Sequence, residues 1–431
     1  LASLGLVSAL VSPEAEHKNI VIIGAGSAGL ATSYFLTQAG VSHIILERGD
    51  VANTWDNERW DGFHLVNPNW AIRLPGFHYS GDNPDGYLSK QETVDYLRNY
   101  ARSFNAPVRS GVSVVRLSRT DESYVLELAG DRQINANCVV VATGAFGIPK
   151  TPEFAANLDS SITQLHSNDY VNHERLPEGG VLVVGSGQSG AQIAEELQAA
   201  GKKVYLSVGA AGRRPRRYRG KDSSWWNYTM GQFDKTIEDV DSIDDARYGA
   251  SSHTSGAGGG HDIYLRQLAK DGMTLAGPVV GATGNKVQFR TDLNEILTAV
   301  DEHPIRWKAN VDRYIEDQGW DFPEDTTVDP PGISDWPKGE APAELSLTEE
   351  GISSVIWATG FQYDFGWIDL PITGERNYPK QLRGVTDYPG LYFMGLQWMY
   401  GSKSAQFIGV GEDAEYVANH VTERFGDNKK G

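Results

Sequence analysis

Two glycine fingerprints of one kind, Gly24-Ala25-Gly26-Ser27-Ala28-Gly29 and Gly185-Ser186-Gly187-Gln188-Ser189-Gly190, are the residues of this 431-residue chain with the clearest chemistry. In this spacing the first glycine permits a tight turn, the second lets a pyrophosphate approach the backbone, and the third lets a helix pack close to a strand. The phosphates then sit on a helix N-terminus, where unpaired N–H groups and the helix dipole favour negative charge. Two such sites in one chain imply two dinucleotides and electron transfer between them.

Residues downstream distinguish the two sites. In the first, the second strand ends in Glu47, where a carboxylate accepts hydrogen bonds from an adenosine ribose; that fits FAD or NAD. In the second, the strand Val204 to Ser207 carries Ser207 at the corresponding place once one residue is deleted, and no carboxylate competes there. Six residues later Arg213-Arg214-Pro215-Arg216-Arg217-Tyr218-Arg219 forms the dense basic cluster of an acidic protein. A hydroxyl and planar guanidinium groups suit a ribose 2′-phosphate. Ser207, Arg213 and Arg214 therefore assign NADP(H) to the second site, which leaves FAD for the first.

These side chains need strands and helices to hold them. The β-branched runs Asn19 to Ile23 and Val181 to Val184 read as strands entering each fingerprint, and each following helix ends at an Ala-Gly pair, Ala39-Gly40 and Ala200-Gly201, suited to a C-cap. A helix from Lys90 to Phe104 is announced by the Ser89/Glu92 capping box. Short alternating strands follow at Ser113 to Leu117 and Tyr124 to Leu128. The apolar run from Cys138 ends in Ala142-Thr143-Gly144, and its counterpart from Ser354 ends in Ala358-Thr359-Gly360; both read as buried parallel strands that close a unit. A strand at Leu391 to Met394 and a helix at Gly411 to Phe425 complete the pattern.

The expected fold is therefore α/β, with two Rossmann-like dinucleotide-binding domains. The FAD domain is discontinuous, 17–155 and 361–431, with the NADPH domain, 156–360, inserted. Residues 1–16 are expected as an unstructured or cloning-derived tail. The span 213–342 is expected to supply active-site loops, its glycine run 255–260 being a mobile one.

Composition narrows the function. With 38 basic and 56 acidic residues the formal charge is −18, which repels nucleic acid and anionic membranes. Cys138 is the single cysteine, so neither an intrachain disulfide nor a redox-active dithiol can form. No stretch approaches the roughly 18 to 20 apolar residues of a membrane span. A cytoplasmic enzyme with a small-molecule substrate is expected; no metal is implied, and a homodimer is compatible.

The chain resembles the class B flavin-dependent monooxygenases: flavin-containing monooxygenases, plant YUCCA-type enzymes and bacterial relatives labelled as flavoproteins of potassium transport. The resemblance spans nearly all of residues 18–423. It rests on Leu46-Glu47-Arg48 followed by Thr54-Trp55 and Arg59-Trp60, on Leu74-Pro75-Gly76, on Tyr87 through Tyr100, on both Ala-Thr-Gly strands, on His166-Ser167-Asn168-Asp169-Tyr170 and on Gly409-Val410-Gly411. The family signature before the second fingerprint is only half kept, since Ser160 and Ile162 replace its first two anchors while His166 and Tyr170 stand at the end. Ser353 and Phe361 replace an Asp and a Tyr of N-hydroxylating relatives.

The resemblance implies a cycle in which NADPH reduces FAD and O2 adds to the reduced ring as a C4a-(hydro)peroxyflavin. It implies FAD contacts at Arg48, Thr54 and Trp55 besides the fingerprint, Glu47 and Ala142-Thr143-Gly144, and NADPH contacts at Ala358-Thr359-Gly360. Asn67 and Asn69 fall near the family's flavin-side amide, and His166 is a further candidate catalytic residue. Amine, sulfide or indole oxygenation is the favoured outcome. Baeyer-Villiger oxygenation of a ketone, and NADPH-driven reduction of an external acceptor, are the alternatives. Trp225, Trp226 and Tyr228 are expected to wall an aromatic pocket.

Overall fold

The computed structural model describes residues 16–249, 252–327 and 329–426. Of the expected tail, only Glu16 falls within these residues; it opens the first strand, β1 (Glu16–Ile23), and is ion-paired to Arg109. Strand β1 runs into helix α1 (Ser27–Gln38), and β2 (Ile44–Leu46) pairs beside it in parallel. Helix α2 (Lys90–Ser103) starts at the expected capping box, with Ser89 and Glu92 reciprocally bonded. Then come β3 (Val108–Arg109), β4 (Val114–Arg119), β5 (Tyr124–Leu128) and β6 (Arg132–Val141).

These strands form one sheet in the order β3-β2-β1-β6-β5-β4. Strand β6 changes character along its length. Its first half pairs antiparallel with β5 and alternates in burial, while Cys138 to Val141 run parallel to β1 and are continuously buried. The all-apolar run Cys138-Val139-Val140-Val141 lies where both sheet faces are covered.

The second sheet has the order β7-β14-β8-β9-β10 and is built from β7 (Thr163–His166), β8 (Gly180–Val184), β9 (Val204–Ser207), β10 (Thr274–Ala276) and β14 (Ile352–Trp357). Helix α3 (Gln188–Ala199) follows β8 as α1 follows β1. Both helices end as expected, with Ala39 and Ala200 as C-caps followed by Gly40 and Gly201 in the left-handed region. The two Ala-Thr-Gly exits meet, because Ile148–Pro149 pairs antiparallel with Phe361–Gln362.

The inserted span is more ordered than a set of loops. It contains the short helix α4 (Ser223–Thr229), a three-stranded antiparallel sheet of β11 (Val279–Thr283), β12 (Lys286–Phe289) and β13 (Glu344–Ser346), and the 26-residue helix α5 (Leu293–Gln318). The glycine run 255–260 is packed at its ends, where a side chain at Gly256 would meet the Leu65 carbonyl at 2.0 Å and one at Gly260 would meet the Tyr87 ring, and open at Gly258 and Gly259. The chain then returns to the first sheet through β15 (Leu391–Phe393), which pairs with β6, and ends in α6 (Val410–Phe425), packed on α1.

Candidate active site

The first fingerprint is a cradle shaped by sterics. Gly24 sits at φ +107°, and a Cβ there would come within 2.5 Å of the Ala142 carbonyl, so only glycine fits the turn. A Cβ on Gly29 would lie 2.0 Å from the Gly24 carbonyl, which brings α1 close to β1. Around Gly26 nothing lies within 4 Å, and α1 has no side-chain cap, so the N–H groups of its Ser27-Ala28-Gly29 turn are open to a phosphate. Glu47 is buried beside them and accepts from the Ala25 N–H at 2.8 Å and the Gly49 N–H at 3.0 Å.

The other residues expected around this cradle divide. Ala142 is buried and donates its N–H to the Ile23 carbonyl at 2.9 Å; Thr143 is exposed and Gly144 has φ +83°. Thr54 and Trp55 lie on the short helix Asn53–Asn57, where Trp55 packs on Phe63 and Phe407. Arg48 points outward into an ion pair with Glu58.

The second cradle repeats the first. Gly185 sits at φ +102° with its Cβ position 2.6 Å from the Ala358 carbonyl, a Cβ on Gly190 would lie 1.9 Å from the Gly185 carbonyl, and Gly187 is open. Helix α3 likewise lacks a side-chain cap. Ser189 is half-buried, while the Gln188 side chain is spent on the Thr254 carbonyl. Ser186 exchanges hydrogen bonds with Gly209, and its carbonyl receives the His253 Nε2–H at 2.6 Å. Thr359 donates its hydroxyl to the Lys150 carbonyl, and the Gly360 carbonyl receives the Lys150 N–H.

The expected readers of the 2′-phosphate are corrected by the register. Val184 pairs with Ser207 as Ile23 pairs with Leu46, so Ser207 matches Leu46 without any deletion and Val208 holds the place of Glu47. The Ser207 hydroxyl is buried between the Gly277 carbonyl and the Val279 N–H. Arg213 is committed elsewhere: it bonds Asp262 at 2.9 Å and Asp329 at 2.6 Å and lies 3.6 Å over the Tyr264 ring. Burial opposes its charge, but the two carboxylates outweigh that and raise its pKa. Arg214 turns toward α5, into a cavity that no fingerprint residue lines.

Asn67 donates from Nδ2 to Gln406 Oε1 at 2.9 Å, joining the 65–72 loop to the lead-in of α6. That lead-in departs from Gly395, whose Cβ position is 2.6 Å from Ala28 Cβ, so it passes beside the first cradle. Asn69 is buried and donates from Nδ2 to the Asn83 carbonyl, which braces the loop, while its buried Oδ1 has no partner among the described residues. His166 is also a brace. It accepts the Asn168 N–H at Nδ1, donates from Nε2 to the Gly360 carbonyl, and burial lowers its pKa, so both ring nitrogens are occupied in the neutral form. Trp226 is fully buried in a small core with Trp307 and Phe322, with Trp225 against it; only Tyr228 reaches the surface, against Trp70. The expected aromatic pocket is a core.

Sequence reasoning missed the groups that hold the loop. Buried Arg216 donates Nη1 to the Val66 carbonyl at 2.8 Å and Nε to Asp222 at 2.7 Å, and stacks 4.3 Å from the Tyr87 ring, whose hydroxyl donates to the same carboxylate. Its signal was present in the basic cluster, but Asp222, six residues on, was the partner. Gln406 carried no local signal, because its partner lies 339 positions away.

The residues present fit both dinucleotides: two open glycine cradles on uncapped helices, an acid beside the first and none in its place beside the second. Residues 21–256 match the pyridine nucleotide-disulphide oxidoreductase family. A CzcO-like oxidoreductase of Geobacillus kaustophilus is 32% identical over 419 residues, 94% of this chain and 98% of the relative. Indole-3-pyruvate monooxygenase YUCCA1 of Oryza sativa is 32% identical over 44% of this chain and 47% of its own length. The flavin-containing monooxygenase from Stenotrophomonas maltophilia shares the fold, with TM-score 0.63 at 20% identity over 95% of this chain and 99% of that one. The chain belongs to the pyridine nucleotide-disulphide oxidoreductase family and is an oxidoreductase, and its two cradles, together with its likeness to flavin monooxygenases, support FAD and NADPH as its cofactors.

Proposed function

We propose that the protein is an NADPH- and O2-dependent flavoprotein monooxygenase acting on a small organic substrate: an amine, a sulfide or an electron-rich aromatic such as an indole. The observation that carries this is the Asn67–Gln406 amide pair, which ties the 65–72 loop to the lead-in of α6. The likeness to YUCCA1, an indole-3-pyruvate monooxygenase, supports the reading for the part of the chain it covers. A dithiol relay has no residues to run on. The single cysteine, Cys138, is wholly buried inside β6, and burial pushes its thiol pKa up.

In this reading Gly24 to Gly29 hold the FAD pyrophosphate and Glu47 its ribose, with Thr54, Trp55 and Ala142 to Gly144 alongside. Gly185 to Gly190 and Ala358 to Gly360 hold NADPH. Bound FAD supplies the redox chemistry, taking hydride from NADPH and passing electrons to O2. The protein's task is to place a donor and exclude water. Arg216 clamps the Val66 carbonyl from one side while Gln406 takes one Asn67 N–H from the other, so the remaining Asn67 N–H is held in one direction. An amide donor does not titrate, so it hydrogen-bonds an oxygen-derived group without removing a proton that the oxidant needs.

Removing a preorganised donor typically costs about 2.7 to 4 kcal/mol. Asn67→Ala is therefore expected to keep FAD and hydride uptake but to lose product, with the reducing equivalents recovered as hydrogen peroxide. The assay follows NADPH loss, peroxide and oxygenated product across amines, sulfides and indoles. Wild-type enzyme that converts all consumed O2 to peroxide with every substrate would replace this reading with an NADPH-driven flavin oxidase or reductase.

A further inference from the structure

Between α4, the turn that follows it and α5 lies a cavity of about 450 Å³, lined among others by Arg214, Asn227, Lys235, Trp307, Arg313 and Asp317. That volume is usual for a small-molecule site. Arg214 forms the inner wall. It makes no side-chain hydrogen bond or ion pair among the described residues, and its Nε is buried without a partner. Its neighbours in the basic cluster are served: Arg213 by Asp262 and Asp329, Arg216 by Asp222, Arg219 by Asp312. Lys235 and Arg313 stand at the exposed mouth, and neither has an ion pair among the described residues. Asp317 is the single acid of the lining, so the hollow is net cationic in a chain of charge −18.

The polar groups are also oriented. The Asn227 Oδ1 accepts from Trp307 Nε1 at 3.1 Å, which leaves the amide nitrogen to donate into the space. Leaving a buried guanidinium nitrogen unpaired is costly, and a half-buried arginine lining a hollow is well served by a bidentate anion. We propose that this cavity binds small organic carboxylates, Arg214 gripping the carboxylate from within, Lys235 and Arg313 drawing it in, and Trp307 offering apolar surface. A nucleotide phosphate has the same charge chemistry, but no residue of the second fingerprint lines the cavity, so the organic acid is the favoured ligand.

The FAD-loaded protein is titrated with phenylacetate, with uncharged phenylacetamide and with 2′,5′-ADP, read by calorimetry and tryptophan fluorescence. Phenylacetate is expected to bind saturably and phenylacetamide about tenfold more weakly, the usual scale of one charge-assisted contact. Arg214→Gln is expected to weaken phenylacetate at least about tenfold and the exposed Arg313→Gln, which leaves the fold untouched, about threefold to fivefold. Saturating NADP⁺ is expected to leave the affinity within about twofold, because the sites are separate. Absence of saturable phenylacetate binding, equal binding of acid and amide, or indifference to Arg313→Gln would overturn the proposal. Displacement of phenylacetate by 2′,5′-ADP overturns it too, and would assign the cavity to the nucleotide phosphate. None of these readouts depends on turnover, so loss of the monooxygenase reading would leave the result standing.

Discussion

The two nucleotide cradles agree in backbone and disagree in one side chain. Gly24 and Gly185 share the same left-handed turn against an Ala-Thr-Gly carbonyl, and Gly29 and Gly190 share the same close helix approach. At the end of the neighbouring strand, however, Glu47 stands in the first and Val208 in the second. The first turn is closed by a carboxylate that accepts two N–H groups, the second by the Ser186–Gly209 pair with His253 laid across it. The glycines answer to sterics that any pyrophosphate imposes, so they repeat. Choice of dinucleotide depends on charge at the ribose, so it resides in the residue that does not repeat.

The strongest break in this comparison comes from filling one open cradle at a time. Gly26→Val should expel the flavin, whereas Gly187→Val should keep it and lose NADPH-driven reduction; overpacking of this kind costs roughly 1 to 3 kcal/mol, up to about a hundredfold in affinity. Flavin absorbance after desalting and stopped-flow reduction distinguish the two. Loss of flavin from both variants would mean that the cradles do not serve separate ligands.

Val208→Glu tests the one differing side chain. An acid placed where Glu47 stands in the other unit repels a 2′-phosphate and accepts from a 2′-hydroxyl, so preference should move from NADPH toward NADH by about one to two decades in kcat/KM. An unchanged NADPH/NADH ratio in a folded variant would sink the assignment.

Arg213→Ala separates phosphate reading from bracing. Because its guanidinium is held by Asp262, Asp329 and the Tyr264 ring, the variant should lose about 1 to 3 kcal/mol of stability and raise KM for NADPH and NADH by similar factors. A loss confined to NADPH, with Tm unchanged, would show that the side chain leaves its carboxylates for the nucleotide.

The smallest effect is expected with pH. Burial lowers the pKa of His166 and of His253, both braces of the second cradle. The unfolded chain then binds more protons than the folded one, so stability falls as pH drops below the ordinary histidine value of about 6.5, with a limiting slope near 1.4 kcal/mol per pH unit for each ring. Urea unfolding between pH 7 and 5 should show a shallower slope in His166→Gln than in wild type. Identical slopes would remove His166 from this account.

Local patterning made most of the frame legible. The capping box at Ser89 and Glu92, the paired Ala-Gly helix ends and the buried run at Cys138 to Val141 are short-range signals, and each element is where its residues predict. Helix α5 was hidden although its buried residues, Leu293, Leu297, Val300, Pro304, Trp307, Val311 and Ile315, keep the three-to-four spacing of one helical face. Pro304 within it reads as a breaker in isolation, and only packing against the core around Trp226 outweighs the lost hydrogen bond.

Sequence by itself determined the two cradles, the acid at Glu47 and the absence of a dithiol, because glycine sterics and strand periodicity act within a few residues. Tertiary structure decided what those residues face. It set the strand register that gives Val208, not Ser207, the place in the second unit that Glu47 holds in the first, gave Arg213 its partners at Asp262 and Asp329, joined Asn67 to Gln406, and left Arg214 at a cavity without a partner among the described residues. A guanidinium or an amide pairs with any suitable group that the fold brings within about 3 Å, and that choice is made by packing between segments far apart in the chain.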